Sequence, residues 1–378
     1  MERSFDLVVV GAGPAGASCA RRAAELGLSV AVLEKDVFPR AKPCAAGLPA
    51  AGLARVGAIA LPALHREFRT VEIVLGDRTT LVWTGAEVCI ATTTREELDA
   101  ALADAARSAG ARIEFGTRVE SLSGDAEGVK VDAGGRAWLA PFLVAADGAR
   151  GAVRGLTGAP GGRVSGAVYV NAFPPQPGGS TLQYDRITFD LRGSHRGYGW
   201  VFPKRDHLCV GVYSQRPLSR VLTDDLRAFV ASRGLVSSRT EGPYAFPVPA
   251  GGRGWSAASG RVLFAGDAAG LADPVTGEGI RHAVESGRAA AEEVALALSG
   301  GGDAGAAYAR RVARDVLPEV RLLSRIGNAF YAIGPAASDR LLSIPPVRSG
   351  LMRLGPWQRL ASGTGRLSVE TTARARAQ

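Results

Sequence analysis

The stretch VVVGAGPAGASCA, residues 8–20, decides the fold of the first part of this chain. Its apolar, β-branched start predicts a buried parallel strand, and residues 15–26 predict a helix that Gly27 closes. Three glycines between strand and helix follow the GxGxxG order at Gly11, Gly13 and Gly16. A second apolar run, SVAVLEK at residues 29–35, completes a βαβ unit.

This βαβ unit predicts a dinucleotide site. Gly11 permits a tight turn, Gly13 lets the backbone approach a pyrophosphate, and Gly16 lets the helix pack on the strand. The pyrophosphate would meet the free N–H groups at the helix N-terminus. Glu34 ends the second strand and can accept hydrogen bonds from ribose hydroxyls.

Composition limits the function classes. The 378 residues are enough for two or more domains, and the net charge of +9 favours anionic partners such as diphosphates or an anionic membrane. No nucleic-acid motif accompanies the charge, so we expect no nucleic-acid partner. The four cysteines lack metal-ligand spacing, so no metal site is expected. No secretory signal or spanning run is visible, which predicts a cytoplasmic protein with reduced thiols.

Two distant segments resemble the FAD motifs of flavoproteins built like aromatic hydroxylases. They are RVLFAGDAAGLADPVTGEGIRHAVESG at residues 261–287 and VAADGARGAVR at residues 144–154. The resemblance implies FAD, with Asp267 near the pyrophosphate and ribityl chain. It also implies that the helix starting near Gly277, Gly279 and Ile280 points its N-terminus at the flavin ring.

The motif and the resemblance together give a set of expected cofactor-binding residues. In it, Arg95 matches a cofactor-contacting arginine, Val119 matches the strand position beside the adenine, and Asp147 belongs to the Asp-Gly motif. The full set is Gly11, Gly13, Ala15, Gly16, Glu34, Lys35, Ala45, Gly47, Arg95, Val119, Asp147, Gly266, Asp267, Gly277, Gly279 and Ile280.

Three segments narrow the resemblance to the geranylgeranyl reductase family. FPRAKPCAAGLP at residues 38–49 resembles that family's Pro-Arg…Lys-Pro-Cys-Gly-Gly segment, and YGWVFPK at residues 198–204 resembles its Tyr-x-Trp-x-Phe-Pro signature. Gly270 stands where aromatic hydroxylases usually have histidine. The resemblance covers about residues 5–300. Ala45 and Ala46 depart from the usual Gly-Gly pair, and the Gly-x-Gly expected past Pro203 is absent, since Val212 and Tyr213 follow Gly211.

The family resemblance implies an enzyme that reduces isolated C=C bonds of an isoprenoid chain by hydride transfer from reduced FAD. No second GxGxxG follows a strand, so the reductant would be NAD(P)H that docks transiently or a protein electron donor. We expect the catalytic residues to be Cys44, Tyr198 and Trp200. The two aromatic faces can stabilise developing positive charge or simply line an apolar tunnel for the prenyl chain.

Cys44 leaves three interpretations open. Its thiol can donate the proton, can serve as a redox switch, or can be a small side chain beside the flavin.

Two functions other than prenyl reduction are also compatible with the sequence. GYGWVFP at residues 197–203 is close to the halogenase signature, so a flavin monooxygenase or halogenase on the same fold is one rival. A non-catalytic flavin- or prenyl-binding protein is the other.

The predicted fold class is α/β (α+β), a Rossmann-type FAD-binding domain with an inserted antiparallel-sheet substrate domain and a helical C-terminal tail. We assign residues 1–65, 90–160 and 255–300 to the FAD-binding domain, 66–89 and 161–254 to the substrate domain, and 301–378 to the tail. The tail holds twelve arginines against five acidic residues. This excess fits a solvated arginine face, a bound diphosphate, or peripheral contact with an anionic membrane, at its inner face for a cytoplasmic protein.

Overall fold

The computed structural model describes residues 2–76, 79–125, 127–174, 184–192, 196–235, 237, 239–252, 254–334, 337, 340, 344 and 365–371. Statements about the structure below refer to these residues. They form α-helices, β-strands and two short 3-10 helices at Gly57–Ala63 and Gly266–Ala269.

The α-helices are α1 Pro14–Glu25, α2 Ala50–Val56, α3 Arg95–Ser108, α4 Val153–Leu156, α5 Arg220–Ser232, α6 Ile280–Leu298, α7 Ala304–Asp315 and α8 Leu317–Ile333. The strands are β1 Glu2–Ser4, β2 Leu7–Val10, β3 Val30–Leu33, β4 Gly47–Pro49, β5 Leu64–Phe68, β6 Thr70–Val74, β7 Thr79–Gly85, β8 Ile90–Thr93, β9 Arg112–Glu114, β10 Val119–Gly124, β11 Val129–Ala133, β12 Arg136–Ala140, β13 Phe142–Ala145, β14 Val164–Phe173, β15 Ile187–Asp190, β16 Gly197–Pro203, β17 Leu208–Ser214, β18 Arg239–Pro249, β19 Ala258–Ser259, β20 Val262–Phe264 and β21 Gly365–Thr371.

A six-stranded sheet forms the core of the first domain. Its strand order is β19-β20-β13-β2-β3-β9, and every pair is parallel except β19 with β20. All residues of β2, β3 and β13 are buried, as the continuous apolar runs predict. Helices α1 and α6 pack closely on each other, because a Cβ on Gly287 would lie 2.1 Å from the Ala15 carbonyl oxygen.

An eight-stranded sheet forms a second layer, which we call the substrate sheet. Its order is β18-β14-β17-β16-β15-β6-β7-β21, antiparallel except between β15 and β6. The strands β6 and β7 come from one part of the chain and β14–β18 from another, so two insertions build one sheet. Two smaller sheets, β1-β12-β11-β10 and β4-β8-β5, complete the architecture. The predicted fold class is confirmed, while the domain boundaries stay predictions.

The C-terminal region is helical up to residue 333 and then adds a strand. The sequence predicts a mostly helical tail over residues 301–378, and in its described part β21 pairs with β7 along the edge of the substrate sheet. Residues 365–371 form a strand because pairing with an edge strand far away in sequence decides their conformation. Pro318 lies in the first turn of α8, where proline fits a helix start.

Candidate active site

The glycine-rich turn between β2 and α1 leaves no room for side chains. A Cβ on Gly16 would lie 1.8 Å from the Gly11 carbonyl oxygen, and one on Gly11 would lie 2.5 Å from the Ala146 carbonyl oxygen. Gly11 also has φ +95°, which favours glycine. No side chain caps the first turn of α1 behind Gly13. The N–H groups of this turn are therefore available to an anionic group.

Glu34 lies beneath this turn and stabilises it. Its buried carboxylate accepts the N–H of Ala12 at 2.7 Å and that of Asp36 at 3.0 Å. The carboxylate thus holds the backbone of the turn, and its contact with a ribose stays a prediction. Lys35 points outward, since 53% of its side chain is exposed. The contact of Lys35 with the cofactor therefore stays a prediction.

Val119 lies close to the end of β3, which Glu34 directly follows. It is the first residue of β10, and Thr117 two residues earlier donates its N–H to the Glu34 carbonyl oxygen at 2.8 Å. The predicted adenine position is thus beside the end of β3, as a nucleotide lying along the GxGxxG turn requires.

Two arginines gather around one carboxylate beside the glycine-rich turn. Arg95 is buried at the start of α3 and donates to Asp99 from Nε at 2.7 Å and from Nη2 at 2.8 Å. Nη1 of Arg40 lies 3.1 Å from the same carboxylate. The helix start is set by Thr94, whose hydroxyl accepts the Glu97 N–H at 3.3 Å.

Lys42 adds a third cation, and the three cations fit a diphosphate. A Cβ on Gly13 would lie 3.6 Å from Arg95 Nη2, and a Cβ on Gly148 would lie 3.6 Å from Lys42 Nζ. The charge of Arg95, followed by burial, lowers the pKa of Lys42. The carboxylates of Asp99 and Asp267 offset this charge only in part. A surplus of positive charge thus remains where Gly13 admits the diphosphate of a dinucleotide.

The FAD-motif segment at residues 261–287 lies directly against the glycine-rich turn. A Cβ on Gly266 would lie 3.1 Å from the Ala15 Cβ, and the Gly266 N–H donates to the Ser286 hydroxyl at 2.9 Å. Asp267 reaches the start of α6, because its Oδ1 would lie 3.4 Å from a Cβ on Gly279. The structure therefore brings the predicted residues of both motifs together around the N-termini of α1 and α6.

Asp147 shapes the segment at residues 144–154, which carries the Asp-Gly motif. Its carboxylate accepts the Val153 N–H at 2.9 Å, and a Cβ on Gly151 would lie 2.1 Å from the Asp147 Cγ. Burial raises the pKa of this carboxyl group. In this structure Asp147 caps the short helix α4, and its contact with the cofactor stays a prediction.

A cavity of about 130 Å³ joins the cofactor side to the substrate sheet. The predicted catalytic residues Cys44, Tyr198 and Trp200 all line it. The start of α6 closes one side. On the other side lie aromatic residues of the substrate sheet, which we call the aromatic wall: Phe189, Tyr198, Trp200, Phe202 and Tyr213. The remaining predicted residues in its lining are Ala45, Gly47, Gly277, Gly279 and Ile280. The distant segments of the sequence signature thus meet at one place.

Hydrogen bonds tie the aromatic wall to the loop before α6. The Tyr198 hydroxyl donates to the Thr276 carbonyl oxygen, and the Tyr213 hydroxyl donates to the Pro274 carbonyl oxygen at 3.0 Å. Burial raises the pKa of Tyr198 well above its usual value. The Trp200 indole N–H donates to Cys209 Sγ at 3.5 Å. Both aromatic side chains therefore direct their polar ends to the protein and present apolar surface to the cavity.

Cys44 is the cysteine with solvent access. It is half-buried, whereas Cys19, Cys89 and Cys209 are buried, and all four are free thiols. Its sulfur accepts the Ala46 N–H at 3.3 Å. Ala46 has φ +47°, in the left-handed region where glycine is favoured. The position where the family usually has glycine thus keeps the glycine-like backbone conformation despite its Cβ.

Sequence reasoning missed two ionisable residues of this site. Lys204 lies at the end of the signature strand β16, and Glu278 lines the cavity beside Gly277. Burial raises the pKa of Glu278 to about 7 and lowers that of Lys204 to about 8. The only sequence signal was their position directly after, or inside, a recognised motif.

Among the described residues, no group of three or more His, Cys, Asp or Glu side chains could hold a metal ion. Within the same residues, every helix is too short or too polar to traverse a bilayer.

Comparison with known proteins gives the relatives of this chain. The family described as FAD binding domain matches residues 4–177. A digeranylgeranylglycerophospholipid reductase from Methanothrix thermoacetophila is 32% identical over 310 residues, covering 78% of this chain and 79% of that protein. A menaquinone reductase from Mycolicibacterium smegmatis is 30% identical over 325 residues, covering 80% of this chain and 78% of that protein.

One solved structure extends the comparison to the whole fold. A geranylgeranyl bacteriochlorophyll reductase-like protein from Thermoplasma acidophilum matches with a TM-score of 0.77 at 20% identity. The match covers 94% of this chain and 98% of that one. At this identity the match shows a common fold, and the two sequence matches span most of each chain.

Proposed function

Because the chain belongs to the geranylgeranyl reductase family of FAD-binding proteins, we propose that it reduces isolated C=C bonds of a geranylgeranyl-type isoprenoid chain. One observation carries the proposal: the Cys44 loop, the aromatic wall and the start of α6 line a single cavity. The names of the two sequence relatives support a substrate with an isoprenoid chain, such as a prenylated quinone or an ether lipid.

The cofactor side of the site would hold FAD through its diphosphate. The first turn of α1 has no side-chain cap, so its N–H groups can face the diphosphate, and Arg40, Lys42 and Arg95 supply positive charge. The N-terminus of α6 presents further N–H groups that favour negative charge at the ring end of the cofactor. When bound and reduced, FAD supplies a hydride to one carbon of the double bond.

The substrate side would bind and orient the prenyl chain. Tyr198, Trp200 and Phe202 lie on β16 and are buried in a cluster of aromatic rings, with 6.1 Å between the ring centroids of Tyr198 and Trp200. Their apolar surface excludes water from the cavity. Their faces also offer cation–π attraction of about 1–2 kcal/mol to the positive charge that develops on an alkene carbon.

Cys44 would supply the proton. In this proposal the thiol S–H bond breaks, the proton adds to the carbon that does not receive the hydride, and the thiolate regains a proton from water. The bond from the Ala46 N–H to Cys44 Sγ orients the sulfur. The rival roles, a redox switch and a small spacer, do not require the thiol for turnover, so the activity of Cys44→Ala distinguishes them from proton donation.

The reductant and the location complete the proposal. We propose that NAD(P)H or a protein donor reduces the cofactor by transient docking and that the protein acts in the cytoplasm. We also propose peripheral contact with an anionic membrane at its inner face. On α8, Arg321, Leu322 and Arg325 are exposed together, and Ile333 is exposed at its end. Basic residues beside exposed apolar ones suit a surface that carries anionic lipid.

The proposal is tested on the lipids of cells with and without the gene. Mass spectrometry of all prenyl lipids should find one class that is heavier by two hydrogens per reduced bond only when the protein is present. Identical prenyl lipid profiles would contradict the proposal. A product heavier by oxygen or halogen would instead support the monooxygenase or halogenase rival.

A further inference from the structure

Lys204 is buried where a lysine usually faces water. It follows Pro203 at the end of β16, and its N–H donates to the His207 carbonyl oxygen at 2.7 Å, which closes the turn to β17. Only 2% of Lys204 is exposed, whereas 58% of the neighbouring Arg205 side chain is exposed. Burial of an ammonium group is costly unless its three N–H donors are satisfied.

Three backbone carbonyls receive the Lys204 ammonium group. Its Nζ donates to the oxygens of Ala45 at 2.6 Å, Thr93 at 2.7 Å and Ala46 at 3.1 Å. Three donors thus meet three acceptors. These acceptors lie in the loop that carries Cys44 and at the end of β8. One side chain therefore joins the substrate sheet to two segments of the cofactor domain.

The bond to Ala45 also determines the direction of the bond to Cys44. In a trans peptide unit the C=O and the following N–H point in opposite directions. The Ala45 carbonyl points to Lys204, so the Ala46 N–H of the same peptide unit points away from it, toward Cys44 Sγ at 3.3 Å. The ammonium polarises this peptide unit and strengthens its N–H as a donor.

The bond to Ala46 helps to hold a conformation that alanine disfavours. Ala46 has φ +47°, where a Cβ meets the following carbonyl oxygen. A charged donor on the Ala46 carbonyl, together with the one on Ala45, offsets this cost. Without Lys204, the Ala46 carbonyl would keep only the Thr93 N–H at 3.0 Å, and the Ala45 carbonyl on the other side of Ala46 would lose its charged donor.

We propose that Lys204 is the positioning residue of the active-site thiol: it holds the Ala45 and Ala46 carbonyls and so directs the Ala46 N–H to Cys44. Its relevance to turnover rests on the proposed function, but the positioning itself does not. It also gives the substrate sheet a direct mechanical connection to the cofactor side, at the strand that carries Tyr198 and Trp200.

Amide hydrogen exchange of the FAD-loaded protein tests this role. Lys204→Met keeps the length of the side chain and removes every donor. The matched control is Thr92→Val, because the buried Thr92 hydroxyl donates to the Pro203 carbonyl oxygen at 2.8 Å. The control thus breaks a buried bond between β8 and the end of β16, and it leaves the backbone pairing of Thr92 with Gly47 in place.

In peptides that cover residues 42–48, exchange should become at least about tenfold faster in Lys204→Met and stay within about twofold of wild type in Thr92→Val. Unchanged exchange in Lys204→Met would overturn the proposal, and so would equal acceleration in both variants, which would indicate general loosening. If the Met variant does not fold, Lys204→Gln keeps two donors on a shorter side chain and should show at least about threefold acceleration. Turnover plays no part in this readout, so failure of the reductase proposal would leave it valid.

Discussion

Replacing Glu278 by glutamine should change how stability depends on pH. The Glu278 side chain is 13% exposed, and its Oε1 accepts the Arg281 N–H at 2.7 Å in the first turn of α6. Glutamine keeps this acceptor and removes only the ionisation. Burial raises the pKa of the carboxyl group from its ordinary 4.5 to about 7, against the opposing effects of the Arg281 N–H and charge. Asp273 and Glu285 raise it further.

The magnitude follows from linkage. A folded-state pKa raised from 4.5 to about 7 corresponds to about 3.5 kcal/mol, since one pKa unit is about 1.4 kcal/mol. The sign follows from the direction: the folded protein binds this proton more tightly than the unfolded chain. Its contribution to stability is complete below the unfolded pKa near 4.5 and is lost as the pH rises through about 7. Wild-type protein therefore has a carboxylate to bury above that pH, and the glutamine variant does not.

Urea unfolding of both proteins at a series of pH values measures this effect. The free energy of unfolding of Glu278→Gln minus that of wild type should rise by about 2.5 kcal/mol between about pH 5 and about pH 8. Glu120→Gln makes the same change on an exposed part of β10 and should show a flat difference. A change below about 0.5 kcal/mol for Glu278→Gln would contradict this prediction, because burial would then not raise the pKa of the Glu278 carboxyl group.

Three further predictions follow from the site. In Cys44→Ala at matched FAD occupancy, kcat for prenyl reduction should fall at least about tenfold, and an unchanged kcat would exclude the catalytic role. Gly211→Ala would place a Cβ 2.2 Å from the Trp200 ring, so it should cost about 1–3 kcal/mol in unfolding experiments. Gly155→Ala, with nothing within 4 Å, serves as its control, and equal stability of the two would refute the packing argument. In liposome sedimentation at low salt, the protein should bind anionic vesicles in preference to neutral ones, and equal recovery would count against the membrane contact.

Local signals made the nucleotide-binding part of the fold predictable. The first βαβ unit and its glycine turn lie where the sequence predicts them, because each depends on residues a few positions apart. The resemblance then brought the distant FAD motifs together, and the structure places them around the starts of α1 and α6.

Contacts between distant segments were not predictable from local pattern. Lys204 and Arg205 are adjacent charged residues in one turn, yet only Lys204 is buried. Its acceptors at Ala45 and Thr93 are 159 and 111 positions away. Similarly, β21 is a strand because β7 offers it an edge. Burial of Glu278 likewise depends on how α2 and α6 pack, since its Oε1 would lie 3.9 Å from a Cβ on Gly52.

Anaerobic reoxidation of the reduced flavin tests the central claim most directly. FAD-loaded protein, reduced chemically without oxygen, is mixed with a geranylgeranyl acceptor offered as a diphosphate, as a quinone side chain and as an ether lipid. We expect one of these acceptors to restore the absorbance of oxidised flavin and to gain two hydrogens for each flavin oxidised. Flavin that stays reduced with all three acceptors and is reoxidised only by oxygen would contradict the proposed reduction of prenyl C=C bonds.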